Sequence, residues 1–226
     1  MTARQLPLDF VHDPSYAPDD YLVAPCNALA WGWIMRWPDW GGGRTLALTG
    51  QSGSGKSHLA HLFCARSKGG IIKAADLSLD DPPQLAACPS VVVEDADRGV
   101  DEQALLHLYN LLVQNGKHLL LTGRTPPSRW SVRLPDLRSR LATIPLAEIG
   151  PPDDALLEAV LVKLFADRQI RISDDVPAYL AARMERSFAQ ARALAALIDD
   201  ASLAGGRAVT TALVRDVLAD LAAKEG

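Results

Sequence analysis

The chain has 226 residues, of which 48% are hydrophobic and 22% are charged, and its formal net charge is −4. This length allows one large or two small domains with a buried core, and the acidic balance disfavours a protein that grips DNA by itself. No apolar run approaches the roughly 18 residues needed to cross a bilayer, and no basic segment precedes an apolar core at the N-terminus, so we expect a cytoplasmic protein without a secretory signal.

Residues 1–20 contain three prolines and several aspartates, and this composition predicts an extended leader. Within it, QLPLDF places three large apolar side chains, Leu6, Leu8 and Phe10, in alternation after Gln5. On composition alone, this stretch is either a disordered end or a strip folded onto its own domain.

The segment NALAWGWIMRW, between Pro25 and Pro38, predicts a first helix. Tryptophans concentrate in and just after it, at Trp31, Trp33, Trp37 and Trp40. Such a cluster forms either part of the core or an exposed patch, and packing is its commoner use.

Strands and helices alternate from residue 44 onward. The predicted strands are RTLALTG, IIKAA, SVVVED, HLLLTG and TIPLAEI, and the predicted helices between them include HLAHLFCARS and DEQALLHLYNLLVQNG. The apolar runs LAL, VVV and LLL are continuous, as in strands covered on both faces, so the pattern predicts a parallel α/β sheet. After Pro151 and Pro152, Ala and Leu recur at helical spacing with breaks near residues 173–175 and 205–206, which predicts a second, all-helical domain of three or four helices.

The segment GQSGSGKS follows the first strand of the sheet and opens a helix, and it fits the pattern G-x-x-x-x-G-K-[ST]. Glycines allow backbone N–H groups to turn toward a phosphate chain, and the helix N-terminus adds partial positive charge. Lys56 can reach the terminal phosphates and the Ser57 hydroxyl can hold Mg²⁺. We therefore predict a nucleotide site made of the loop and the histidine after it: Gly50, Gln51, Ser52, Gly53, Ser54, Gly55, Lys56, Ser57 and His58.

The strand SVVVED ends in acids, with Glu94 and Asp95 followed by Asp97. One acid at such a place could orient Mg²⁺ or its water shell, and the next could polarise an attacking water. We predict Ser57, Glu94 and Asp95 as the metal side of the site, against the alternative that the acids only solvate a strand end.

The strand HLLLTG ends in Thr122, whose hydroxyl could sense the terminal phosphate or hold the water, although threonine is also simply favoured in strands. An arginine-dense stretch follows, comprising Arg124, Arg129, Arg133, Arg138 and Arg140. Arginine suits bidentate phosphate contact and the completion of another subunit's site, but for any one of these residues a solvated loop or helix is the commoner explanation.

Taken together, GQSGSGKSHLAHLFCA, VVVEDAD, LYNLLVQNGKHLLLTGRTPP and LPDLRSRL resemble the ATPase core of the DnaA family of bacterial replication initiators, and more closely its shorter Hda branch. Upstream, DDYLVAPCNALA is similar to the segment that begins this core, with Asn27 at a characteristic place. The resemblance implies an AAA+ fold: a P-loop αβα sandwich with a parallel five-stranded sheet at residues 21–150, a helical lid at 151–226, and ADP or ATP with Mg²⁺ between them.

The resemblance also implies roles for single residues. Residues 50–57 match the Walker A loop, SVVVED matches the Walker B strand, and Thr122 falls near the first sensor position. Arg140 matches an arginine finger offered to a neighbouring molecule, and Arg138 is a weaker candidate on the same surface.

Two positions depart from the family pattern. Glu94 stands where the initiator usually has a shorter Asp, which puts the Mg²⁺ geometry in question. Ala189 falls where the lid normally carries a sensor arginine, and Arg186 or Arg192 could substitute from one helical turn away. Both departures favour a protein that holds nucleotide with little turnover of its own.

The resemblance further implies a regulator that stimulates ATP hydrolysis by DnaA. The initiator's helix-turn-helix DNA-binding domain has no counterpart before Gly226, so we expect no direct sequence-specific DNA binding. Hda-like proteins carry near the N-terminus a peptide Q-L-x-L-x-[L/F] for the polymerase sliding clamp, matched here by Gln5, Leu6, Leu8 and Phe10. A homodimer stays open, and the alternatives are a helicase-loader type of ATPase acting on DNA and a small-molecule kinase.

Overall fold

The computed structural model describes residues 21–225, without the side chains of residues 224 and 225. The predicted leader and its QLPLDF peptide lie outside the described residues.

Strands and helices alternate in the first part of the described chain. In order they are α1 (Ala28–Arg36), β1 (Thr45–Gly50), α2 (Lys56–Ser67), β2 (Gly70–Lys73), α3 (Pro82–Leu85), β3 (Ser90–Glu94), α4 (Glu102–Gln114), β4 (His118–Gly123), α5 (Pro135–Ala142) and β5 (Leu146–Ile149). Four helices follow: α6 (Asp154–Asp167), α7 (Val176–Ala181), α8 (Phe188–Gly205) and α9 (Thr211–Glu225).

The five strands form one parallel sheet in the order β2-β3-β4-β1-β5. This confirms the predicted five-stranded parallel sheet. Alternate valines of β3 serve opposite faces: Val92 packs with α1 and α2, whereas Val91 and Val93 pack with α4 and α5. Burial on both faces is the physical reason for the continuous apolar runs in the sequence.

Two predicted strands are shorter than their sequence segments. The strand predicted for TIPLAEI begins at Leu146, because Pro145 has no N–H to donate to the ladder and contributes its carbonyl to Ala47 instead. The strand predicted for IIKAA ends at Lys73, and Ala74–Asp76 form a turn of 3₁₀ helix.

The four C-terminal helices enclose a core of their own, with Leu157, Leu161 and Phe165 of α6 packed against Leu194 and Ile198 of α8. Both predicted interruptions of the helical segment are present. The sequence did not predict a third one, between α7 and α8. This interruption ends at Ser187, whose side chain accepts a hydrogen bond from the Gln190 N–H and so caps α8. No helix in the described range is long and apolar enough to cross a membrane.

Candidate functional site

The glycine-rich loop, residues 50–57, joins the end of β1 to the start of α2. Gly53 and Gly55 have φ of 73° and 96°, in the left-handed region that other residues rarely adopt. Lys56, the first residue of α2, is buried, and its Nζ donates 2.8 Å hydrogen bonds to the carbonyl oxygens of Gly50 and Gln51. The loop thus brings a desolvated ammonium and a helix N-terminus to the same place, as a phosphate site requires.

A cavity of about 950 Å³ opens over this loop, which is within the usual size of a small-molecule site. The loop side of its wall consists of Ser52, Gly53, Ser54, Gly55, Lys56, Ser57 and His58. Asp95 and Arg124 from the sheet also line it, as do Lys163, Arg168 and Arg192 from the helical part. Positively charged side chains of the sheet domain and of the helical part therefore line the same cavity.

Glu94 continues the side-chain alternation of β3, so it shares the α2 face with Val92. Burial and the nearby Glu94 carboxylate raise the pKa of the Cys64 thiol on α2 to about 12. The Glu94 Oε1 atom is buried without a hydrogen-bond partner among the described residues. A buried carboxylate oxygen of this kind calls for a cation or a donor.

Asp95 and Thr122 are joined across two neighbouring strands. The Thr122 hydroxyl is buried and accepts a 3.1 Å hydrogen bond from the Asp95 N–H. Asp95 has φ of 52°, a left-handed conformation that costs free energy in a residue other than glycine. The hydroxyl of Thr122 thus stabilises a strained turn that exposes the Asp95 carboxylate to the cavity.

Burial lowers the pKa of Lys56, while the carboxylates of Asp95 and Asp97 counteract this effect. Arg124 lowers the Lys56 pKa further, so its positive charge acts on the same site. Sequence reasoning left Arg124 among the solvated arginines. The available signal was its place directly after β4, whose end pairs with β1 next to the glycine-rich loop.

The predicted Mg²⁺ ligands fit a metal held jointly with a nucleotide. Among the described residues, no group of three or more His, Cys, Asp or Glu side chains is arranged to hold a metal. Mg²⁺ in phosphate sites keeps several waters and uses one or two protein oxygens besides the phosphates. The Ser57 hydroxyl and the Asp95 carboxylate line the cavity and could supply such oxygens. Glu94, with its unpartnered Oε1, is not among the residues that line it.

The lid residues differ in their relation to the cavity. Arg192 lines the cavity, whereas Arg186 lines a neighbouring cavity on the same loop and forms a 3.0 Å ion pair with Asp154. Ala189 lies against the loop, since an ideal Cβ on Gly53 would be 2.8 Å from the Ala189 Cβ. Helix α8 therefore begins directly over the glycine-rich loop, with Arg192 one turn further on.

An aromatic group lines the cavity beside the glycine-rich loop. Tyr21 stacks on Trp31 at 5.3 Å between ring centroids and meets His58 edge-on at 5.2 Å. Asn27 is buried and fixes this segment, accepting from the Ala24 N–H and donating to the Leu22 carbonyl. Flat apolar surfaces of this kind suit an aromatic ring such as a nucleotide base.

Arg140 and Arg138 lie on α5 and are not among the residues that line the cavity. Arg140 forms a 3.3 Å ion pair with Asp136 and lies over the Tyr109 ring, with its side chain 36% exposed. The Arg138 guanidinium donates to the Val132 carbonyl at 2.8 and 3.1 Å, so it holds the segment before α5.

Comparison with known proteins identifies the helical part and the fold. A family model of the Hda lid domain matches residues 154–218. The chain is similar to domain III of the replication initiation protein DnaA from Thermotoga maritima, with a TM-score of 0.77 and 18% identity over 92% of this chain and 97% of that one.

Two further solved structures are similar over most of this chain. AMPPCP-bound DnaA from Aquifex aeolicus has a TM-score of 0.65 and 18% identity, over 80% of this chain and 64% of that one. The Thermotoga maritima RuvB Holliday junction branch migration motor has a TM-score of 0.65 and 19% identity, over 87% of this chain and 67% of that one. Likeness at these identities shows the AAA+ fold.

Proposed function

Since the chain is a DnaA-related AAA+ protein whose lid belongs to the Hda family, we propose that it binds adenine nucleotide and promotes ATP hydrolysis by the initiator DnaA. The observation that carries this proposal is the Hda lid match at residues 154–218, joined to a sheet domain with the fold of DnaA domain III. In this account the protein inactivates the initiator and so limits replication initiation.

The bound nucleotide is ADP or ATP with Mg²⁺, held between the glycine-rich loop and the lid. The loop, Lys56 and the N-terminus of α2 bind the phosphates, and Ser57 with Asp95 and Glu94 holds the metal. Arg192 approaches from the lid. In solved structures of similar fold, DnaA is bound to AMPPCP, a triphosphate analogue.

Arg140 acts on the partner's nucleotide and not on its own. Its position outside its own chain's cavity and its 36% exposure suit a residue that is inserted beside a phosphate on another molecule. A guanidinium there stabilises the charge that develops during phosphoryl transfer, and arginines supplied in trans are worth about 10³–10⁵ in rate. The exposed Asp136 holds the guanidinium until a phosphate takes its place.

The peptide of Gln5, Leu6, Leu8 and Phe10 binds the sliding clamp in this proposal, which rests on the sequence pattern alone. An extended strip with apolar anchors and one amide suits a docking peptide, and Pro7 reduces the entropy lost on ordering. Binding to clamps loaded on DNA would make inactivation depend on ongoing replication.

The experiment measures ATP hydrolysis by DnaA with this protein, with and without clamp loaded on DNA. We expect stimulation that needs the clamp, disappears with Arg140→Ala, and persists with Arg129→Ala, an exposed arginine from the same stretch. The double variant Gln5→Ala with Leu8→Ala should lose clamp affinity and stimulation together.

Equal stimulation by wild type and Arg140→Ala would show that the finger assignment is wrong. Undiminished clamp affinity of the double variant would exclude the peptide. Brisk ATP turnover by this protein alone in response to single-stranded DNA would favour a helicase-loader type of activity instead.

A further inference from the structure

The residues that precede the five parallel strands meet at one edge of the sheet, the amino edge, which lies opposite the glycine-rich loop. The segments that form this edge, including the ends of the helices that lead back to it, are 36–44, 65–69, 86–89, 113–117 and 143–145. They contain one acid, Asp39, and five cations: Arg36, Arg44, Arg66, Lys68 and Lys117. Although the whole chain has a net charge of −4, this edge is therefore positively charged.

An aromatic cluster brings the ends of α1 and α2 together at the amino edge. Arg36 ends α1 and directly precedes Trp37. The Trp37 ring meets Phe63 of α2 at 6.1 Å and His118, the first residue of β4, at 5.8 Å between centroids. Since Phe63 lies one turn before Arg66 in α2, the exposed side chains of Arg36 and Arg66 leave the same part of the edge.

Two of the five cations are bonded to the ends of other helices. The Lys117 ammonium donates to the carbonyl oxygens of Ala86 and Ala87, so it caps the end of α3 and serves the fold. Arg44 donates from one nitrogen, Nη1, to the Gly116 carbonyl at 2.7 Å, but the residue is exposed and keeps four further donors. The exposed cations, which we call the basic edge, are Arg36, Arg44, Arg66 and Lys68.

Lys68 occupies a backbone position that favours glycine. It follows the last turn of α2 with φ of 53°, and its N–H donates to the Cys64 carbonyl. Glycine is the usual residue at a helix end of this kind, so a lysine there costs the fold free energy. The Lys68 side chain makes no hydrogen bond or ion pair with a described residue. Local structure therefore does not account for a lysine at this position.

The spacing of the basic edge matches a polymer with regularly repeated charge. Lys68 precedes β2 and Arg44 precedes β1, and two strands, β3 and β4, lie between these. Three strand spacings amount to about 14 Å, and four base pairs of duplex DNA also advance about 14 Å. Segments 36–44 and 65–69 contain no exposed large apolar side chain, whereas the centre of an interface with a folded protein is usually apolar.

We propose that the basic edge contacts the phosphate backbone of double-stranded DNA without reading its sequence. This inference goes beyond the proposed function, because the contact needs neither a nucleotide nor a protein partner. The basic edge and the glycine-rich loop lie at opposite edges of the sheet, so DNA and nucleotide can be bound at the same time.

The test is a titration of a fluorescently labelled duplex with the full-length protein, followed by anisotropy between 50 and 200 mM salt. Four phosphate contacts predict a slope of about −3.6 in the logarithm of affinity against that of salt concentration, or a loss of about 150-fold over this range. A second duplex of unrelated sequence should bind with the same affinity, because the bases are not read.

The double variant Arg66→Ala with Lys68→Gly removes two of the four cations. Its slope should fall to about −1.8, with a loss of about 12-fold over the same range, and its affinity for ADP should not change. Lys73→Ala, which removes an exposed lysine at the opposite end of β2, is the matched control and should keep the slope of the wild type.

Lys68→Gly alone separates the charge of this residue from its role in the fold. The unfolding temperature should rise, because glycine adopts the left-handed conformation without strain, while the slope should become about 0.9 less negative. A lysine that served only the end of α2 would change the stability and leave the slope as it is.

Absence of duplex binding at 50 mM salt would overturn the proposal. A wild-type slope in the double variant would also overturn it, and would show that these cations only compensate the negative ends of the helices. Binding of poly-glutamate as tightly as DNA, with the same losses in the variants, would assign the basic edge to an acidic polypeptide instead.

Discussion

The position and charge of Lys56 depend both on the loop next to it and on charged residues that are distant in the sequence. The glycines before it have to adopt left-handed conformations, so that the loop carbonyls of Gly50 and Gln51 can accept from its ammonium. Burial lowers its pKa, and the carboxylates of Asp95 and Asp97, which follow β3, compensate in part. The ammonium is therefore held in place before a phosphate arrives, which reduces the entropy lost on binding.

Replacing Lys56 by Ala should weaken ADP binding by more than tenfold, because the variant loses the cation beside the phosphates. The measurement is titration calorimetry with ADP and Mg²⁺. Lys73→Ala, an exposed lysine on β2, is the control and should bind as the wild type does. ADP affinity unchanged in Lys56→Ala would exclude the proposed phosphate site.

Residue types and spacing alone predicted the glycine-rich loop, because its eight consecutive residues determine its local geometry. Arg124 could not be found in this way, because its nearness to Lys56 depends on the pairing of β4 with β1. Paired residues of these two strands are 74 positions apart in the chain and come together only in the sheet. The relation of Ala189 to Gly53 depends on the path of the lid in the same manner.

At the scale of elements, α5 is tied to its neighbour by a carboxylate. Glu102, at the start of α4, accepts from the backbone N–H groups of Arg133 and Leu134, the two residues before α5. These hydrogen bonds lower the pKa of Glu102. The stabilisation is therefore present at neutral pH and is lost as the pH falls through that lowered value. The tie orients the helix that carries Arg140.

Glu102→Ala should free the segment before α5, because two backbone N–H groups lose their acceptor. We expect faster amide hydrogen exchange at Arg133 and Leu134, together with weaker stimulation of DnaA and unchanged ADP affinity. Asp80→Ala, at an exposed acid before α3, is a suitable control. Unchanged exchange at both amides would show that Glu102 does not hold this segment.

For the whole molecule, the sheet domain contains an aromatic cluster in which the segment after α1 packs on β4 and α2. Trp40 is buried, stacks on Phe63 at 5.4 Å between centroids and meets His118 edge-on at 5.2 Å, with Trp37 close by. Packing is thus the observed role of Trp40, in line with the commoner of the two readings. Burial, followed by the charge of Arg44, lowers the pKa of His118, so the folded protein holds this imidazole neutral.

A histidine whose pKa is lowered by folding makes the protein less stable in acid. Above pH 6.5, the ordinary pKa of histidine, His118 is neutral in both the folded and the unfolded chain and does not lower the free energy of unfolding. Below pH 6.5 the unfolded chain binds a proton more readily than the folded one, so the free energy of unfolding falls until the pH passes the pKa of His118 in the folded protein. His118→Phe should therefore show a smaller drop in unfolding temperature between pH 7.5 and pH 5.5, by about 2–4 °C for each kcal/mol removed. His107→Phe, at an exposed helix position, should drop as the wild type does, and an equal drop in His118→Phe would contradict this account.

The contact between Ala189 and Gly53 is the point at which the lid helix α8 rests on the glycine-rich loop. Helix α8 has 18 residues and a length of about 27 Å, and it touches the loop at its first turn. A tilt of roughly 5° about this point would carry the far end of the helix through about 2 Å. Because α8 meets the loop only through its first turn, any displacement of the loop that tilts the helix is enlarged at the distant surface of the lid.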